Sequence, residues 1–445
     1  MKKRYLEIVK AITGLKSNSV VKNIVIVSGI TLLIKGVGFY KETLVASSFG
    51  LSELLDTFFI AFIVPGFIST VFLGAFKSVF IPNYVAELET KNDIASFQGT
   101  GFFVTAGVSA LFMGIAFLFT DTYLHIFFPD HTPEYYSLIK SQFYYLLPCI
   151  AFWGFSSLLS GILNIHDEFR YSSFESLFIP VAIIICLFFF KDSLGDNVLA
   201  IGTLIGTVAS FVFLAIVCLQ KGLLNIAFPD LNNVNARVMF AQVPAKVSSG
   251  FLTGMNTIVD QYFAAQLVIG SIAAINYGRK MPAFLSGLLI IALTNVLLPY
   301  FSKALAKNKE KTFKTLFKML KLLFVGVSVC VLAGILASDF LVELFFERKA
   351  FTSDDTVIVS DIQKIFLIYL PFSICGMVIV NFLTSINKNA FMAYVSFGAL
   401  LLNIVLDYIL MQYYGVFGIA LCTTIVIILK NTILLLYTYR QSKVT

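Results

Sequence analysis

Residues 65–82 read PGFISTVFLGAFKSVFIP, an apolar stretch with a proline at each end. Residues 282–299 read PAFLSGLLIIALTNVLLP, and their two prolines have the same separation of 17 positions, 217 residues further on. Both stretches are apolar enough to lie in the core of a bilayer, where helices tolerate proline. The matched spacing indicates two membrane helices in corresponding positions of two related halves.

A second pair of motifs supports this duplication. Pro148 and Asn164 are 16 positions apart, as are Pro371 and Asn387, and the offset between the two pairs is 223. Proline is frequent in spanning helices, so chance agreement is the alternative explanation. Two matched spacings at similar offsets favour duplication.

The composition places the whole chain in a membrane. Of its 445 residues, 58% are hydrophobic and only 13% are charged, and the mean hydropathy is +0.89. Soluble domains carry about 25% charged residues. This balance excludes a disordered chain, a secreted disulfide scaffold and an ordinary cytosolic enzyme. The chain has a net charge of +7. This charge does not indicate a nucleic-acid partner, because membrane proteins carry an excess of Lys and Arg in their cytoplasmic loops.

Hydropathy predicts how many helices cross the bilayer. A spanning helix requires about 20 mostly apolar residues, and six such stretches in each half predict an all-α polytopic membrane protein with about twelve transmembrane helices in two six-helix lobes. Because six is even, both halves enter the membrane in the same orientation, as in repeats related by an axis along the membrane normal. The predicted spans are 23–47, 54–83, 97–119, 138–165, 172–190, 197–219, 238–268, 271–301, 316–345, 362–386, 390–412 and 416–438.

Lysine and arginine orient these spans. With both termini in the cytoplasm, the cytoplasmic segments hold twenty of the 32 Lys and Arg residues, and the outer loops hold three, Lys191, Arg348 and Lys349. Cytoplasmic loops are enriched in these residues, so both termini are predicted to be cytoplasmic. The predicted segments are a basic interfacial stretch (1–22), an N-lobe (23–222), an inter-lobe linker (223–237) and a C-lobe (238–445).

Several charged residues fall inside predicted spans, where each costs about 2.5–3.5 kcal/mol at the bilayer centre. In span one, Lys35 and Glu42 share a helix face with small polar residues, and Lys41 lies about 100° away. Span eight carries Arg279 and Lys280. These charges concentrate on the first helices of each half and predict a water-filled cationic cavity. Such a cavity suits an anionic substrate such as a phosphate or diphosphate.

A second polar group has different chemistry. Asn403 and Asp407 are four residues apart on span eleven and share one face, Asp260 is the acid of span seven, and Thr423 lies on span twelve. Their oxygen atoms suit a small hard cation or a proton. The alternative is a structural role in which the aspartates are only hydrogen-bonded.

The sequence contains no G-x-x-x-x-G-K-[ST] phosphate loop. It also shows no nucleophile–base–acid constellation. We therefore expect no enzymatic activity, no catalytic residue and no cofactor. Transport by such a chain would depend on an ion gradient, the membrane potential or substrate flux.

The N-terminal part of the chain carries a series of short motifs, and related ones return at 277–303, where a basic pair precedes Ser286-Gly287 and Leu298-Pro299. The N-terminal motifs are Gly38-Phe39-Tyr40-Lys41-Glu42, Ala46, Phe49-Gly50, Asp56-Thr57-Phe58-Phe59-Ile60-Ala61-Phe62, Pro65, Gly74-Ala75-Phe76 and Pro82. This series resembles one known family, the MurJ/MviN lipid II flippases, and the likeness is specific over residues 28–90. The family belongs to the MOP superfamily of multidrug, oligosaccharidyl-lipid and polysaccharide exporters.

The resemblance implies a MOP-type fold whose central cationic cavity grips the diphosphate of a lipid-linked sugar and moves it to the outer leaflet by alternating access. It also implies a sodium site, so that Na⁺ or H⁺ is the expected coupling ion. The implied diphosphate site consists of Lys35, Lys41, Glu42, Asp56, Arg279 and Lys280. The implied cation site consists of Asp260, Asn403, Asp407, the backbone of Ile419, and Thr423.

The chain departs from the family pattern at several positions. Ser69-Thr70 stands where the family has an arginine pair, and Ala283 stands where it has an acid. Several family arginines are lysines here, which bind phosphate as point charges rather than as forks. The peptidoglycan members of the family usually have fourteen spans, of which the last two help to hold the prenyl tail, against the twelve predicted here.

We therefore expect a flippase of the bacterial inner membrane whose partners are membrane lipids and an undecaprenyl-diphosphate-linked glycan, lipid II by resemblance. One alternative is a Wzx-like flippase for surface-polysaccharide units. Others are a MATE-like drug or cation antiporter, and a membrane scaffold that recruits cell-wall or polysaccharide synthesis enzymes without transporting. The cationic cavity argues against the antiporter, and the charges within spans argue against the scaffold.

Overall fold

The computed structural model describes residues 19–90, 93–129 and 131–444. Over these residues the chain is almost entirely helical, and the only β pairing there is a single bridge between Arg348 and Phe351. The predicted all-α membrane fold is confirmed. Residues 1–18 of the predicted interfacial stretch 1–22 lie outside the described residues.

The helices follow one another with short connections. Those before the predicted linker are α1 (Ser19–Phe49), α2 (Glu53–Ile68), α3 (Gly74–Thr90), α4 (Ile94–Leu118), α5 (Thr120–Phe127), α6 (Pro133–Leu146), α7 (Cys149–Ile165), α8 (Phe169–Phe174), α9 (Phe178–Phe189), α10 (Lys191–Leu194) and α11 (Val198–Gln220). Those after it are α12 (Val234–Ala264), α13 (Ser271–Gly278), α14 (Lys280–Lys307), α15 (Lys309–Leu336), α16 (Ser338–Phe346), α17 (Ser353–Ser385), α18 (Asn389–Tyr414) and α19 (Val416–Val444). A π turn lies at Ser69–Leu73, and 3₁₀ turns lie at Glu175–Leu177 and Gly195–Asn197.

Nine stretches of the described chain are long and apolar enough to cross a bilayer. They coincide with all the predicted spans except 23–47, 238–268 and 271–301. These three stretches are also helical: the first lies in α1, the second in α12, and the third in α13 and α14. They carry most of the charged residues singled out above. The number of twelve crossings and the cytoplasmic position of both termini stay predictions.

The paired proline motifs give different local structures. Shortly after Pro65 the helix widens into the π turn Ser69–Leu73, where the Gly74 N–H donates to the Ser69 carbonyl. Proline removes a backbone donor from a helix, and bends and π turns are common near such positions. The matching stretch 282–299 lies within the uninterrupted α14. The shared spacing therefore predicts the helices but not their bends.

The chain divides into two compact units. Among the described residues, the first comprises 19–45, Ile60–Tyr123 and Thr132–Gly250. The second comprises Ala46–Phe59, Leu124–His131 and the residues from Phe251 onward. The division differs from a single cut at the predicted linker, because the short segment 46–59 belongs with the second unit. The predicted lobe boundaries stay a prediction.

Each unit has its own apolar core. In the first unit, the rings of Phe80, Tyr84 and Phe97 stack with centroids 5.5–6.2 Å apart. In the second unit, Phe382 packs edge-on against Phe301 and Phe313, with centroids 5.3 and 4.9 Å away. Aromatic pairs in these geometries add about 0.5–1.5 kcal/mol beyond their buried area.

The predicted linker is bound along the first turns of α4, within the first unit. The Gln98 side chain donates to the Leu223 carbonyl at 2.9 Å and accepts from the Asn225 N–H at 2.9 Å. Further along, the Ala227 N–H donates to the Ala95 carbonyl at 3.1 Å. Residues 223–230, called the strap below, therefore form an ordered segment.

A buried carboxylate holds the end of the linker. Glu87 on α3 has no exposed surface. It accepts hydrogen bonds from the side-chain amides of Asn233 at 3.1 Å and Asn235 at 2.5 Å, and from the Asp93 N–H at 3.0 Å. A buried carboxylate needs such donors to offset its desolvation. These contacts fix the chain where α12 begins.

Candidate functional site

Asp260 is the centre of a buried polar cluster in the second unit. It lies near the end of α12 and is 2% exposed. Its Oδ1 accepts a hydrogen bond from Asn403 Nδ2 at 3.1 Å, and its Oδ2 accepts one from the Thr423 hydroxyl at 2.9 Å. Oδ2 also forms an ion pair with the guanidinium of Arg279. Side chains from α18, α19 and the α13–α14 junction thus converge on one carboxylate.

Asn403 and Asp407 lie on one face of α18, as their spacing of four predicts. Both are buried, and Asn403 Nδ2 also donates to Asp407 Oδ2 at 3.1 Å. The Cys422 thiol on α19 donates to the Asn403 carbonyl at 3.4 Å. Asn403 Oδ1 and Asp407 Oδ1 are buried and have no hydrogen-bond donor in the described part of the chain. The cluster therefore contains two acceptor oxygens that can take a further donor or cation.

Arg279 closes this cluster from the junction between α13 and α14. Its side chain is 23% exposed, and its Nη2 lies 3.5 Å from the Thr423 hydroxyl. The guanidinium carbon lies 5.1 Å from the centre of the buried Phe366 ring, within the range of a cation–π interaction. The resemblance placed Arg279 with the diphosphate-binding residues, and the structure brings it into contact with the residues of the implied cation site.

Ile419 contributes to the cluster through its backbone. Its carbonyl oxygen lies 3.2 Å from the Thr423 hydroxyl, one helical turn away, as a second and longer acceptor beside Asp260. The predicted cation site contains Ile419 but not Cys422 or Phe366. An apolar residue in an apolar span carries no signal that separates a functional contact from ordinary packing.

Asp56 caps a helix in the same unit. It is 3% exposed, and its two carboxylate oxygens accept the N–H groups of Gly270 at 2.6 Å and Ala273 at 2.8 Å. These groups lie at the start of α13, where backbone donors have no intrahelical acceptor. Asp56 therefore anchors the helix whose other end leads into Arg279.

Gly270 is required for this cap. Its φ of +91° is a conformation that L side chains rarely adopt, and a Cβ at this position would lie 2.7 Å from the Leu51 carbonyl oxygen. Only glycine fits both the backbone conformation and the space.

The predicted basic residues lie in both units. On α1, Lys41 Nζ lies 2.6 Å from Glu42 Oε1, with the side chains 20% and 16% exposed. Lys35 is half-buried one to two turns earlier on the same helix, and Lys280 is half-buried at the start of α14. Within each unit, these helices carry ammonium groups with restricted access to water.

The cluster around Asp260 gives a test of the implied sodium site. Hard cations take several oxygen ligands in proteins, and oxygen atoms are abundant here. However, both Asp260 oxygens already accept hydrogen bonds, Asn403 presents its amide donor, and Arg279 supplies a positive charge. A second cation beside the guanidinium would be repelled. The arrangement therefore does not fit a sodium ion bound to Asp260.

Solved structures show which class of fold the chain has. The chain aligns with a lipid II flippase MurJ in an inward closed conformation at a TM-score of 0.80 and 24% identity, over 93% of this chain and 87% of that one. It aligns with an inward-facing multidrug resistance MATE family transporter of the MOP superfamily at a TM-score of 0.78 and 13% identity, over 94% and 98%. The chain therefore has the MOP-type helical fold that these two membrane proteins share.

Sequence comparison narrows this class to one family. Residues 45–445 match the model of the family described as lipid II flippase MurJ, and the chain belongs to this family. A probable lipid II flippase MurJ of Vibrio cholerae serotype O1 is 26% identical over 443 residues, which cover 94% of this chain and 82% of that protein. One of Buchnera aphidicola subsp. Baizongia pistaciae is 26% identical over 378 residues, or 82% and 73%. The resemblance based on the motifs is confirmed.

Proposed function

We propose that the chain is a lipid II flippase, which moves an undecaprenyl-diphosphate-linked peptidoglycan precursor from the inner to the outer leaflet of the bacterial inner membrane. The match of residues 45–445 to the lipid II flippase family carries this proposal. The fold alone cannot carry it, because a multidrug transporter shares that fold and one fold serves many functions.

In this proposal, the lysines of α1 and α14 bind the diphosphate. Lys35, Lys41 and Lys280 are all partly shielded from water, and electrostatic attraction is stronger where water is partly excluded. Each lysine acts as a point charge that tolerates several orientations of the phosphates. Such tolerance suits a headgroup that must be released on the other side.

Glu42 has a separate role in the proposed cycle. It pairs with Lys41 at 2.6 Å, so the ammonium group has an anionic partner when no substrate is bound. An arriving diphosphate replaces the carboxylate, and Lys41 exchanges one anionic partner for another. This exchange avoids leaving a half-buried charge alone, which is the costly state for such groups.

The lysine site predicts the effect of single substitutions on flipping. In reconstituted vesicles, Lys41→Ala and Lys280→Ala should each slow lipid II flipping about tenfold or more, because a hydrogen bond to a charged group contributes about 1.5–3 kcal/mol and 1.4 kcal/mol is tenfold. Accessibility of the headgroup to an external enzyme measures the flipped fraction. Lys303→Ala, which changes an exposed lysine of the same α14, is the matched control and should keep the wild-type rate.

The same assay compares substrates. Lipid II should flip faster than an undecaprenyl-diphosphate-linked surface-polysaccharide unit. If the surface-polysaccharide unit flips faster than lipid II, the substrate class is surface glycans and not lipid II. Wild-type rates in both the Lys41 and Lys280 variants would contradict the lysine site while leaving the substrate class in place.

A further inference from the structure

The ion pair between Arg279 and Asp260 lies where the family resemblance implies a sodium ion. A sodium ion in that place would supply one positive charge to a buried carboxylate. The guanidinium already supplies that charge, and it also donates hydrogen bonds, which a metal ion cannot. This chain thus carries within its own sequence the charge that an ion would otherwise bring.

We propose that Arg279 is a tethered cation that occupies the cation position at Asp260, so that the chain needs no sodium ion there. The contacts are specific: the guanidinium pairs with Asp260 Oδ2, lies 3.5 Å from the Thr423 hydroxyl and stacks 5.1 Å from the Phe366 ring. Three different partners therefore hold one charge in one position.

Tethering gives the arginine an advantage over a free ion. A group held near its partner by the chain acts at an effective concentration of about millimolar or higher, whereas sodium binding depends on its concentration in solution. Displacing the guanidinium would also leave a partly buried charge without a partner, which is strongly unfavourable. The closed ion pair therefore excludes sodium over a wide range of concentrations.

The rest of the cluster retains the oxygen atoms that a hard cation requires. Asn403 Oδ1 and Asp407 Oδ1 are buried without a donor among the described residues, and the Asp260 carboxylate and the Thr423 hydroxyl lie beside them. Removal of the guanidinium would leave two acidic side chains without the arginine charge. The structure therefore predicts that loss of Arg279 creates a sodium site.

The experiment measures cation binding and does not depend on substrate. The purified protein in detergent is unfolded by heat in sodium chloride and in choline chloride at equal ionic strength, and bound ²²Na⁺ is counted in parallel. The wild type should show the same Tm in both salts and no bound sodium. Arg279→Gln should acquire a saturable rise of Tm with sodium, because a ligand that binds only the folded state stabilises it.

Two further variants make the result specific. Adding Asp260→Asn to Arg279→Gln should abolish the sodium response, and Arg348→Gln, which changes an exposed arginine of the same unit, should behave as the wild type. Stoichiometric sodium binding by the wild type that Asp260→Asn removes would overturn the proposal, as would a folded Arg279→Gln without any sodium response. If Arg279→Gln does not fold, the wild-type titration alone decides the matter. None of these readouts involves flipping, so they stand apart from the test of the proposed function.

Discussion

Asp56 satisfies two backbone N–H groups of another helix with one buried carboxylate. Asp56→Ala removes both acceptors, from Gly270 and Ala273. Each orphaned buried donor costs about 1–3 kcal/mol, so this variant should have a clearly lower Tm in detergent than the wild type. Asp56→Asn keeps one acceptor oxygen and should fall between the two.

Asp354→Ala is the control for Asp56, because it removes an exposed aspartate of the same unit. It should leave the Tm within about one degree of the wild type, since surface substitutions usually change stability by less than about 0.5 kcal/mol. An Asp56→Ala protein as stable as this control would mean that water, rather than the carboxylate, satisfies the start of α13.

The sequence shows that Asp56 is an acid at the beginning of a predicted span, and the family resemblance places it with the diphosphate-binding residues. It cannot show that the partners are backbone groups 214 and 217 positions away, because every residue has the same backbone donor. The spacing of Asn403 and Asp407 is different, since a separation of four on one helix guarantees a shared face. Local contacts within one helix are therefore predictable, and contacts between helices are not.

Gly99 allows the strap to lie directly on α4. A Cβ at Gly99 would lie 2.1 Å from the Ala227 carbonyl oxygen, which is too close for any real contact. Gly99→Ala should therefore displace the strap and break the nearby hydrogen bond between the Ala227 N–H and the Ala95 carbonyl. Hydrogen exchange measured over residues 223–230 should become much faster than in the wild type.

Gly107 offers a control on the same helix. A Cβ there would meet no atom within 4 Å, and Ala favours a helix interior over Gly by about 1 kcal/mol. Gly107→Ala should keep slow exchange in the strap and a Tm equal to or above that of the wild type. Equal exchange in the Gly99 and Gly107 variants would show that the strap does not depend on this contact.

Hydropathy predicted the long helices, because an apolar segment in a bilayer must form all its backbone hydrogen bonds internally and a helix does so. It did not predict the strap, because residues 223–230 are a short mixture of apolar and polar residues with no periodicity that separates a free linker from a bound segment. Nor did it separate Pro65, which precedes a π turn, from Pro282, which lies in the uninterrupted α14. Such details depend on neighbouring helices, and the spacing of residues along one helix does not contain them.

At the scale of the whole molecule, the fold and the charged residues bear on two different properties, the class of fold and the substrate. The chain aligns almost equally well with a lipid II flippase and a multidrug transporter, at TM-scores of 0.80 and 0.78. The overall architecture is therefore shared by proteins with different names and functions, and it does not by itself select a substrate. The substrate has to be tested at the charged residues of the predicted spans, and the single substitutions Lys41→Ala and Lys280→Ala do this directly.

The distribution of basic residues predicts how the molecule lies in the membrane. Single cysteines can replace Lys309 and Lys443, on the predicted inner side, and Lys191 and Lys349, on the predicted outer side. Cys330, the exposed native cysteine among the six free ones, is first changed to serine. A membrane-impermeant maleimide added to intact cells should label only Cys at 191 and 349, because segments rich in Lys and Arg stay in the cytoplasm.

Permeabilised cells provide the control, since all four cysteines should then be labelled. Labelling of positions 309 and 349 from the same side would contradict a single crossing between them, which α15 and α16 are predicted to provide. If only 309 and 443 are labelled in intact cells, the orientation is the reverse of the predicted one. The lysines of the proposed diphosphate site would then face the other leaflet. Because four predicted spans, 197–219, 238–268, 271–301 and 316–345, lie between positions 191 and 349, these two positions must be on the same side, and a disagreement would contradict the twelve-span arrangement itself.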